Sequence, residues 1–294
     1  PDGFSHDAEE VVTRAVYSPH TVEVIRIHER LNQPYETRGI SSPAYYRLLV
    51  HRYLSEHDRA LYADVDVLFR DDLADVYTTD IGDAAVAGVL SASIYRTHEQ
   101  KLKQLPYWAA MLGDTWGSYI DSGFLLLNLA AIRASDLEKR SLGMVHEQFF
   151  YQDQDIINIT CKGRLAHLPL RYNRISYQDP GLLRGLPSDF YSAEGAEDAI
   201  ASPAVLHYAG AKPWDSARVA FSGVWWHFVH SHTPYLVPFL RRMIRRRGVV
   251  AGTANCLWVV AGLLRSARLF EETANTDAPD RLAKNDRRRT KYDG

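Results

Sequence analysis

The run Gly123-Phe124-Leu125-Leu126-Leu127 constrains the fold most, because an unbroken apolar strand must be covered on both of its faces. Patterns typical of helices and strands alternate on either side of this run. They predict a helix over roughly residues 7–17, a strand over Thr21–Ile27, a helix opened by Ser42-Pro43 and a strand over Ala84–Val89. This order predicts an α/β sandwich with a mixed, largely parallel central sheet, whose ligands lie at the carboxyl ends of strands.

A second apolar run, from Leu61 to Phe69, is interrupted by Asp64 and Asp66. In one continuous strand these two side chains would share a face, because alternate residues point the same way. Burying two like charges is costly unless a cation neutralises them, and carboxylate oxygens suit Mn²⁺ or Mg²⁺. A strand end with solvated acids is the alternative interpretation. The apolar residues on both sides of the pair favour a metal site.

Polar residues also gather in three later segments, at residues 119–123, 151–158 and 205–214. In the second segment, either Asp153 or Asp155 is predicted to cap a helix, since both cannot cap the same one. In the third segment, His207 follows a strand-like lead and is a candidate ligand for a Mn²⁺-like ion. Gly210 would allow close backbone approach to a phosphate, and Lys212 would neutralise charge on it.

The composition indicates an ordinary globular protein with one large domain. Of 294 residues, 46% are hydrophobic and 24% are charged, so the chain can bury a substantial core. Its two cysteines, Cys161 and Cys256, lie far apart, which argues against a disulfide framework or a zinc site and suits a reducing compartment.

The basic C-terminal end differs from the acidic body, although the formal net charge is only -2. A helix starting at Thr233-Pro234 is predicted to be amphipathic and rich in arginine, and residues 248–264 form an apolar stretch too short and too polar for a transmembrane span. Residues 216–264 are therefore predicted to be helical and basic, lying on a membrane surface or docked on the domain. Residues 265–294 are predicted to be disordered because they are polar and poor in apolar groups.

Taken in order, these segments resemble glycosyltransferase family 8, which includes bacterial lipooligosaccharide galactosyltransferases and glycogenin. The resemblance runs from about Pro1 to Trp214. It is carried by the Asp-x-Asp run Leu61–Phe69, Asp121-Ser122-Gly123 before the apolar strand, Asp153-Gln154-Asp155, Leu168-Pro169-Leu170-Arg171-Tyr172-Asn173, and the segment from His207 to Trp214.

The resemblance implies a GT-A-type nucleotide-sugar transferase fold, with residues 1–215 as the catalytic domain. It implies a UDP-sugar donor, a saccharide or lipid-linked saccharide acceptor, and Mn²⁺ or Mg²⁺ bound by Asp64, Asp66 and His207. A divalent ion would then stabilise the departing diphosphate as a Lewis acid. The residues implied to bind the donor are Arg47, Asp64, Val65, Asp66, Asp121, Ser122, Gly210 and Lys212.

Retention of configuration at the transferred sugar is likewise implied by the family, and two mechanisms would produce it. A double displacement needs a nucleophile, for which Gln154 is placed by homology and Asp153 is the anionic alternative. The other route is a same-face transfer through an oxocarbenium-like state, which we favour because a carboxamide is a weak nucleophile.

Three departures from the family pattern leave the sugar open: Asp121 stands where Asn is frequent, Ser91 stands where many members have Asp, and the His207–Lys212 segment is one residue shorter. Asp2-Gly3-Phe4-Ser5 resembles a segment that follows the first strand-helix-strand unit, so that unit is expected to be missing from this sequence, as in an N-terminal truncation or a wrongly started reading frame. The resemblance predicts a hexosyltransferase of lipopolysaccharide or other surface polysaccharide synthesis, cytoplasmic or peripheral on the inner membrane face, with no nucleic-acid partner. A non-catalytic family remnant and a metal-dependent phosphohydrolase are the alternatives.

Overall fold

The computed structural model describes residues 6–14, 16, 20–37, 41–95, 105–216, 218–234, 237–238 and 240. It divides into two compact units, Pro1–His207 and Tyr208–Gly294, and each is described by itself.

Short helices surround two sheets in the first unit. The α-helices are His6–Arg14, Val50–Tyr53, Ala74–Thr78, Leu105–Leu112, Leu129–Arg133, Leu137–Leu142, Gln152–Thr160, Pro180–Arg184 and Ala193–Ala201. The 3₁₀ helices are Ser42–Leu49, Ala92–Tyr95, Gly113–Ser118 and Leu170–Asn173. The strands are β1 (Arg59–Ala63), β2 (Val67–Phe69), β3 (Val86–Leu90), β4 (Ile120–Asn128), β5 (Leu165–His167), β6 (Arg174–Ile175) and β7 (Val205–His207).

One sheet has four strands in the order β1-β4-β3-β5, and the other has three in the order β2-β7-β6. Both are mixed, as predicted. Antiparallel pairing is more frequent than expected, however: among the described strands, β4 runs against β1 and β3 and β2 runs against β7, whereas the β3–β5 and β6–β7 pairs are parallel.

The apolar run at Gly123–Leu127 does form a central strand covered on both faces. It lies within β4, between β1 and β3. Phe124 and Leu126 belong to one buried cluster, whereas Leu125 and Leu127 belong to another. This alternation is the two-sided burial that the sequence predicts.

The prediction of one continuous strand from Leu61 to Phe69 is wrong. The chain leaves the first sheet after Ala63, turns at residues 64–66, and enters the second sheet as β2. Val65 in this turn is fully exposed. Continuing the strand would have carried the carboxylates across a sheet face, whereas the turn places them at the end of β1 and lets Leu61, Ala63 and Val67 pack against the core.

Of two other local predictions, one is wrong and the other is correct in part. Thr21–Ile27 forms no strand and pairs with none of the described strands, although its residues favour the extended conformation. The helix opened by Ser42-Pro43 is present, but it runs as a 3₁₀ helix to Leu49 before one α-helical turn at Val50–Tyr53.

The second unit contains the helix Ser222–His232, whose Trp226 Nε1 donates to Pro213 O at 3.2 Å. The described helices include none that is both long enough and apolar enough to cross a membrane. The arginine-rich helix predicted after Pro234 falls mostly outside the described residues. The apolar stretch at 248–264 and the tail at 265–294 fall outside them entirely, so the predicted division of this region stays a prediction.

Candidate functional site

Strand pairing brings His207 to the two aspartates. Where β1 ends, the Asp64 N–H donates to Gly123 O at 2.9 Å, so the start of the turn is held against β4. Directly after the turn, Val67 pairs with His207 in the β2–β7 ladder. A histidine that is 141 positions from Asp66 in the chain therefore lies beside it in space.

The side chains of Asp64, Asp66 and His207 form the three-residue cluster predicted from the sequence. One possible ligand atom from each lies within 4.8 Å of the others. His207 Nε2 is 3.4 Å from Asp66 Oδ1 and 4.0 Å from Asp64 Oδ2. Two carboxylates and one imidazole fit Mn²⁺, which accepts both ligand types, and Mg²⁺ fits the oxygen donors.

The charged groups around this cluster favour a positive charge on it. Burial of the ring lowers the pKa of His207, but its hydrogen bond with Asp66 and the charges of Asp121 and Asp64 outweigh burial and raise that pKa above its ordinary value. Groups that stabilise an added proton on the ring also attract a cation, so the field suits a divalent metal.

Gly123 provides the space for the His207 ring. A Cβ atom at this position would lie only 2.1 Å from Cε1 and 2.6 Å from Nδ1 of His207. The ring therefore lies directly against the backbone of β4. Glycine is required here because any side chain would displace the imidazole.

Arg47 binds the Asp64 oxygen that lies farther from His207. Its Nη2 donates to Asp64 Oδ1 at 2.8 Å, its Nη1 donates to Ser122 O at 2.7 Å, and its guanidinium lies 4.6 Å from the centre of the Tyr62 ring. The Tyr62 hydroxyl also donates to Asp64 Oδ1, at 2.8 Å. One oxygen of Asp64 is thus bound by the protein, while Oδ2 faces His207. Arg47, predicted to bind the donor, is a partner of Asp64, a predicted metal ligand, in this structure.

Asp153, the second carboxylate beside Arg47, is buried, with Oδ2 3.1 Å from Arg47 Nε and 3.2 Å from Ser122 Oγ. Its burial raises its pKa to about 6, although Arg47 acts in the opposite direction. Neither Asp153 nor Asp155 is the predicted helix cap: Tyr151 occupies that position, and Asp155 instead accepts the Tyr151 N–H at 2.7 Å.

Gln154 is bonded at both ends of its amide. Its Oε1 accepts the Ser122 N–H at 3.0 Å, and its Nε2 donates to the Tyr119 hydroxyl at 3.0 Å. The Tyr119 hydroxyl in turn donates to Asp155 Oδ1 at 2.5 Å. This chain of bonds orients the amide that was predicted to be catalytic.

Asp121 lies behind His207. Its Oδ1 is 3.8 Å from His207 Nδ1 and accepts bonds from Gly123 N at 3.0 Å and Asn173 Nδ2 at 2.8 Å. The structure therefore brings together the predicted residues Arg47, Asp64, Asp66, Asp121, Ser122, Asp153, Gln154 and His207. Gly210, with φ +81°, and Lys212, whose Nζ donates to Tyr208 O at 2.9 Å, belong to the second unit, so their predicted roles stay predictions.

Three residues of the site had no assigned role in the sequence: Tyr62, Gly123 and Asn173. All three lie in segments that carry the family resemblance. Tyr62 lies two residues before Asp64, so a strand would place both side chains on the same face, and this pattern could have indicated their contact. No local pattern indicates the contacts of Gly123 and Asn173.

The sequence model described as glycosyl transferase family 8 matches residues 4–218, which is most of the chain. The chain belongs to this family. Among curated members, it is 28% identical over 183 residues to the lipopolysaccharide 1,2-glucosyltransferase of Escherichia coli K12. That alignment covers 60% of this chain and 51% of the relative, so the chain spans about half the length of that protein.

Solved structures confirm the GT-A-type fold. The galactosyltransferase LgtC, crystallised with donor and acceptor sugar analogues, is 27% identical and superposes with a TM-score of 0.58, over 71% of this chain and 75% of LgtC. The bifunctional glycosyltransferase WbbM has a TM-score of 0.65 at 18% identity, over 81% of this chain and 44% of WbbM, and this likeness concerns the fold alone.

Proposed function

We propose that this protein is a metal-dependent, retaining glycosyltransferase that transfers a hexose, galactose or glucose, from a UDP-sugar to a saccharide or lipid-linked saccharide. The convergence of Asp64, Asp66 and His207 within 4.8 Å carries the proposal, because a nucleotide-sugar transferase must stabilise a departing diphosphate. A bound Mn²⁺ or Mg²⁺ would supply that stabilisation as a Lewis acid. The E. coli glucosyltransferase and LgtC support a hexose donor and a role in surface polysaccharide synthesis.

The residues around Asp64, Asp66 and His207 set the geometry and charge of this three-residue cluster. Arg47 and Tyr62 bind Asp64 Oδ1, which leaves Oδ2 for the metal, and both contacts pre-organise the carboxylate before any ligand arrives. Gly210 and Lys212 are the residues proposed to face the phosphates, as the resemblance implies.

The contacts of Gln154 and Asp153 favour the same-face route to retention. The carbonyl oxygen of Gln154 already accepts the Ser122 N–H, which makes a weak nucleophile weaker still. Asp153 is anionic at neutral pH but is paired with Arg47. We therefore propose that both residues orient and stabilise a positively charged sugar through fixed dipoles and charge, without forming a covalent bond to it.

The decisive assay measures UDP release from a panel of UDP-sugars in the presence of Mn²⁺, with and without saccharide acceptors. We expect release with at least one UDP-hexose, and stimulation by acceptor. Absence of release with every donor, in a protein shown to be folded and to bind Mn²⁺, would exclude the transferase and leave the non-catalytic family remnant. Release of inorganic phosphate from phosphomonoesters would instead favour the phosphohydrolase, which predicts further metal-binding carboxylates. In the described part of the chain, the only group of three candidate metal ligands is Asp64, Asp66 and His207.

Replacing Asp66 with Asn is expected to abolish Mn²⁺-dependent UDP binding and to lower UDP release at least about 1000-fold, because a carboxylate ligand and its charge are both lost. UDP binding is measured by isothermal titration calorimetry with and without Mn²⁺. Asp58→Asn is the matched control, since the Asp58 side chain is 88% exposed and pairs only at the surface with Arg133. Unchanged Mn²⁺-dependent UDP binding in Asp66→Asn would remove Asp66 from the metal site.

We also propose that the basic C-terminal end holds the protein at the anionic cytoplasmic face of the membrane. Deleting residues 241–294 is expected to release the protein from vesicles containing anionic phospholipid, because each Lys or Arg near such a surface contributes about 1 kcal/mol. Co-sedimentation with anionic and with neutral vesicles measures this. A truncated protein that binds anionic vesicles as strongly as the full chain would contradict the proposal.

A further inference from the structure

His207 can bind a metal through Nε2 only if its proton sits on the other ring nitrogen. Nε2 faces the two aspartates, at 3.4 Å and 4.0 Å, while Nδ1 faces Asn173 Oδ1 at 2.9 Å. A neutral imidazole has one N–H and one lone pair. The metal site therefore depends on whatever keeps the proton on Nδ1.

The side chain of Asn173 could by itself favour either tautomer, because an amide has an acceptor end and a donor end. With its oxygen toward His207, it accepts from Nδ1–H and leaves the Nε2 lone pair for a metal. With its NH₂ toward His207, it would require the lone pair on Nδ1 and place the proton on Nε2. Whatever fixes the orientation of the Asn173 amide therefore also fixes the tautomer of His207.

Asp121 resolves the choice, because an ionised carboxylate accepts hydrogen bonds and donates none. Asn173 Nδ2 lies 2.8 Å from Asp121 Oδ1, so the NH₂ end must point to Asp121 and the oxygen must point to His207. The Gly123 N–H donates to the same Oδ1 at 3.0 Å and fixes its position. Asp121 Oδ1 is itself 3.8 Å from His207 Nδ1, which is too long for a direct hydrogen bond.

Burial makes the other orientation of the Asn173 amide costly. Asn173 is 2% exposed and His207 is 4% exposed, so water is not freely available to replace a mismatched partner. A flipped amide would set two donors or two acceptors against each other without solvent, which is costly.

We infer that Asp121 and Asn173 are positioning residues that form a hydrogen-bond relay, Gly123 N–H to Asp121 to Asn173 to His207, and thereby favour the Nδ1–H tautomer of His207. The inference rests on the proposed metal site. It assigns Asp121 a role toward the histidine in addition to its predicted place in the donor pocket.

The direct test is the tautomer of His207 in the metal-free protein. Long-range ¹H–¹⁵N correlation spectra of ¹⁵N-histidine-labelled full-length protein, taken at about pH 9 where ordinary imidazoles are neutral, distinguish the two tautomers. The His207 signals are assigned by their loss in His207→Gln. In the metal-free protein the carboxylates of Asp64 and Asp66 also favour a proton on Nε2, so we expect a larger fraction of the Nδ1–H form in the wild type than in Asn173→Leu and in Asp121→Leu, which remove the two links of the relay.

Asp121→Asn is the conservative variant that separates hydrogen bonding from charge. Its Oδ1 can still accept from Gly123 and Asn173, so we expect the Nδ1–H tautomer to be retained. Mn²⁺ affinity, measured calorimetrically without any sugar, should fall about 10- to 100-fold in the two leucine variants, as is usual when an outer-shell partner of a ligand is lost. It should fall less in Asp121→Asn.

An Nδ1–H fraction that is unchanged in both leucine variants, each checked for folding by circular dichroism, would overturn the relay. Asp121→Asn behaving like Asp121→Leu would also overturn it, because charge rather than hydrogen bonding would then control the ring. Failure of the proposed function looks different: UDP-sugar turnover or Mn²⁺ binding would be absent in the wild type, while the tautomer would still respond to the variants.

Discussion

Replacing Gly123 with alanine is expected to lower Mn²⁺ affinity at least about 100-fold, since outer-shell changes alone already cost 10- to 100-fold. The new methyl group would lie 2.1 Å from His207 Cε1, so the ring must move away from the two aspartates. Because His207 is buried, overpacking should also lower the free energy of unfolding by about 1–3 kcal/mol. Calorimetric titration with Mn²⁺ and urea denaturation measure the two effects.

Gly195→Ala is the matched control for this substitution. Gly195 lies in the helix Ala193–Ala201, and a Cβ there would meet Ser192 Oγ at 3.5 Å, an ordinary van der Waals contact. We expect wild-type Mn²⁺ affinity in the control. Wild-type affinity in Gly123→Ala as well would show that His207 does not bind the metal from the position seen here.

Replacing Arg47 with methionine is expected to lower the free energy of unfolding by about 3–5 kcal/mol, because removing one partner of a buried ion pair leaves an uncompensated charge. Arg47 is 7% exposed and contacts both Asp64 and Asp153. It also donates to Ser122 O, which would lose that partner. Methionine keeps the length of the side chain, so the loss of charge and hydrogen bonds dominates.

The loss in Arg47→Met should shrink in acid. The pKa of Asp153 is already raised to about 6 by burial, and Arg47 lowers it, so that pKa should rise further in the variant. A carboxyl group with a raised pKa in the folded state binds more protons when folded than when unfolded, so stability decreases as pH rises between the two pKa values. Urea denaturation at about pH 7.5 and about pH 5.5 should therefore show the larger deficit at the higher pH.

Arg52→Met makes the same change at a surface ion pair. Arg52 is 40% exposed and pairs with Glu138, and such pairs contribute about 0–1 kcal/mol. Equal losses in Arg47→Met and Arg52→Met, or a loss in Arg47→Met that does not depend on pH, would contradict the view that Arg47 neutralises buried carboxylates in the site.

Predictions from the hydrophobic pattern were correct where the pattern of one strand by itself determines which of its side chains are buried. The run at Gly123–Leu127 became the central strand because its alternating side chains fill two separate cores. Thr21–Ile27 had a similar local preference for the extended state, yet a strand also needs a partner, and pairing is not a local property.

The candidate metal ligands were predicted from residue types and from the family pattern, and the structure brings them together, but not for the geometric reason first expected. Asp64 and Asp66 were predicted to share the face of one strand. They converge instead because the chain turns between two sheets, so that β2 pairs with β7 and places His207 next to the turn. The carboxylate pattern was informative even though the strand assumed to carry it was wrong.

The sequence by itself determined the chemical composition of this site: an oxygen-rich pair, a distant histidine, and a family whose ordered segments contain them. Only the tertiary structure decided how these groups are held. Gly123 accommodates the histidine ring, Arg47 and Tyr62 occupy one oxygen of Asp64, and Asn173 contacts both Asp121 and His207. Residue type follows from the chain, whereas a contact between positions far apart exists only after strand pairing and burial bring them together and exclude the water that would otherwise satisfy them.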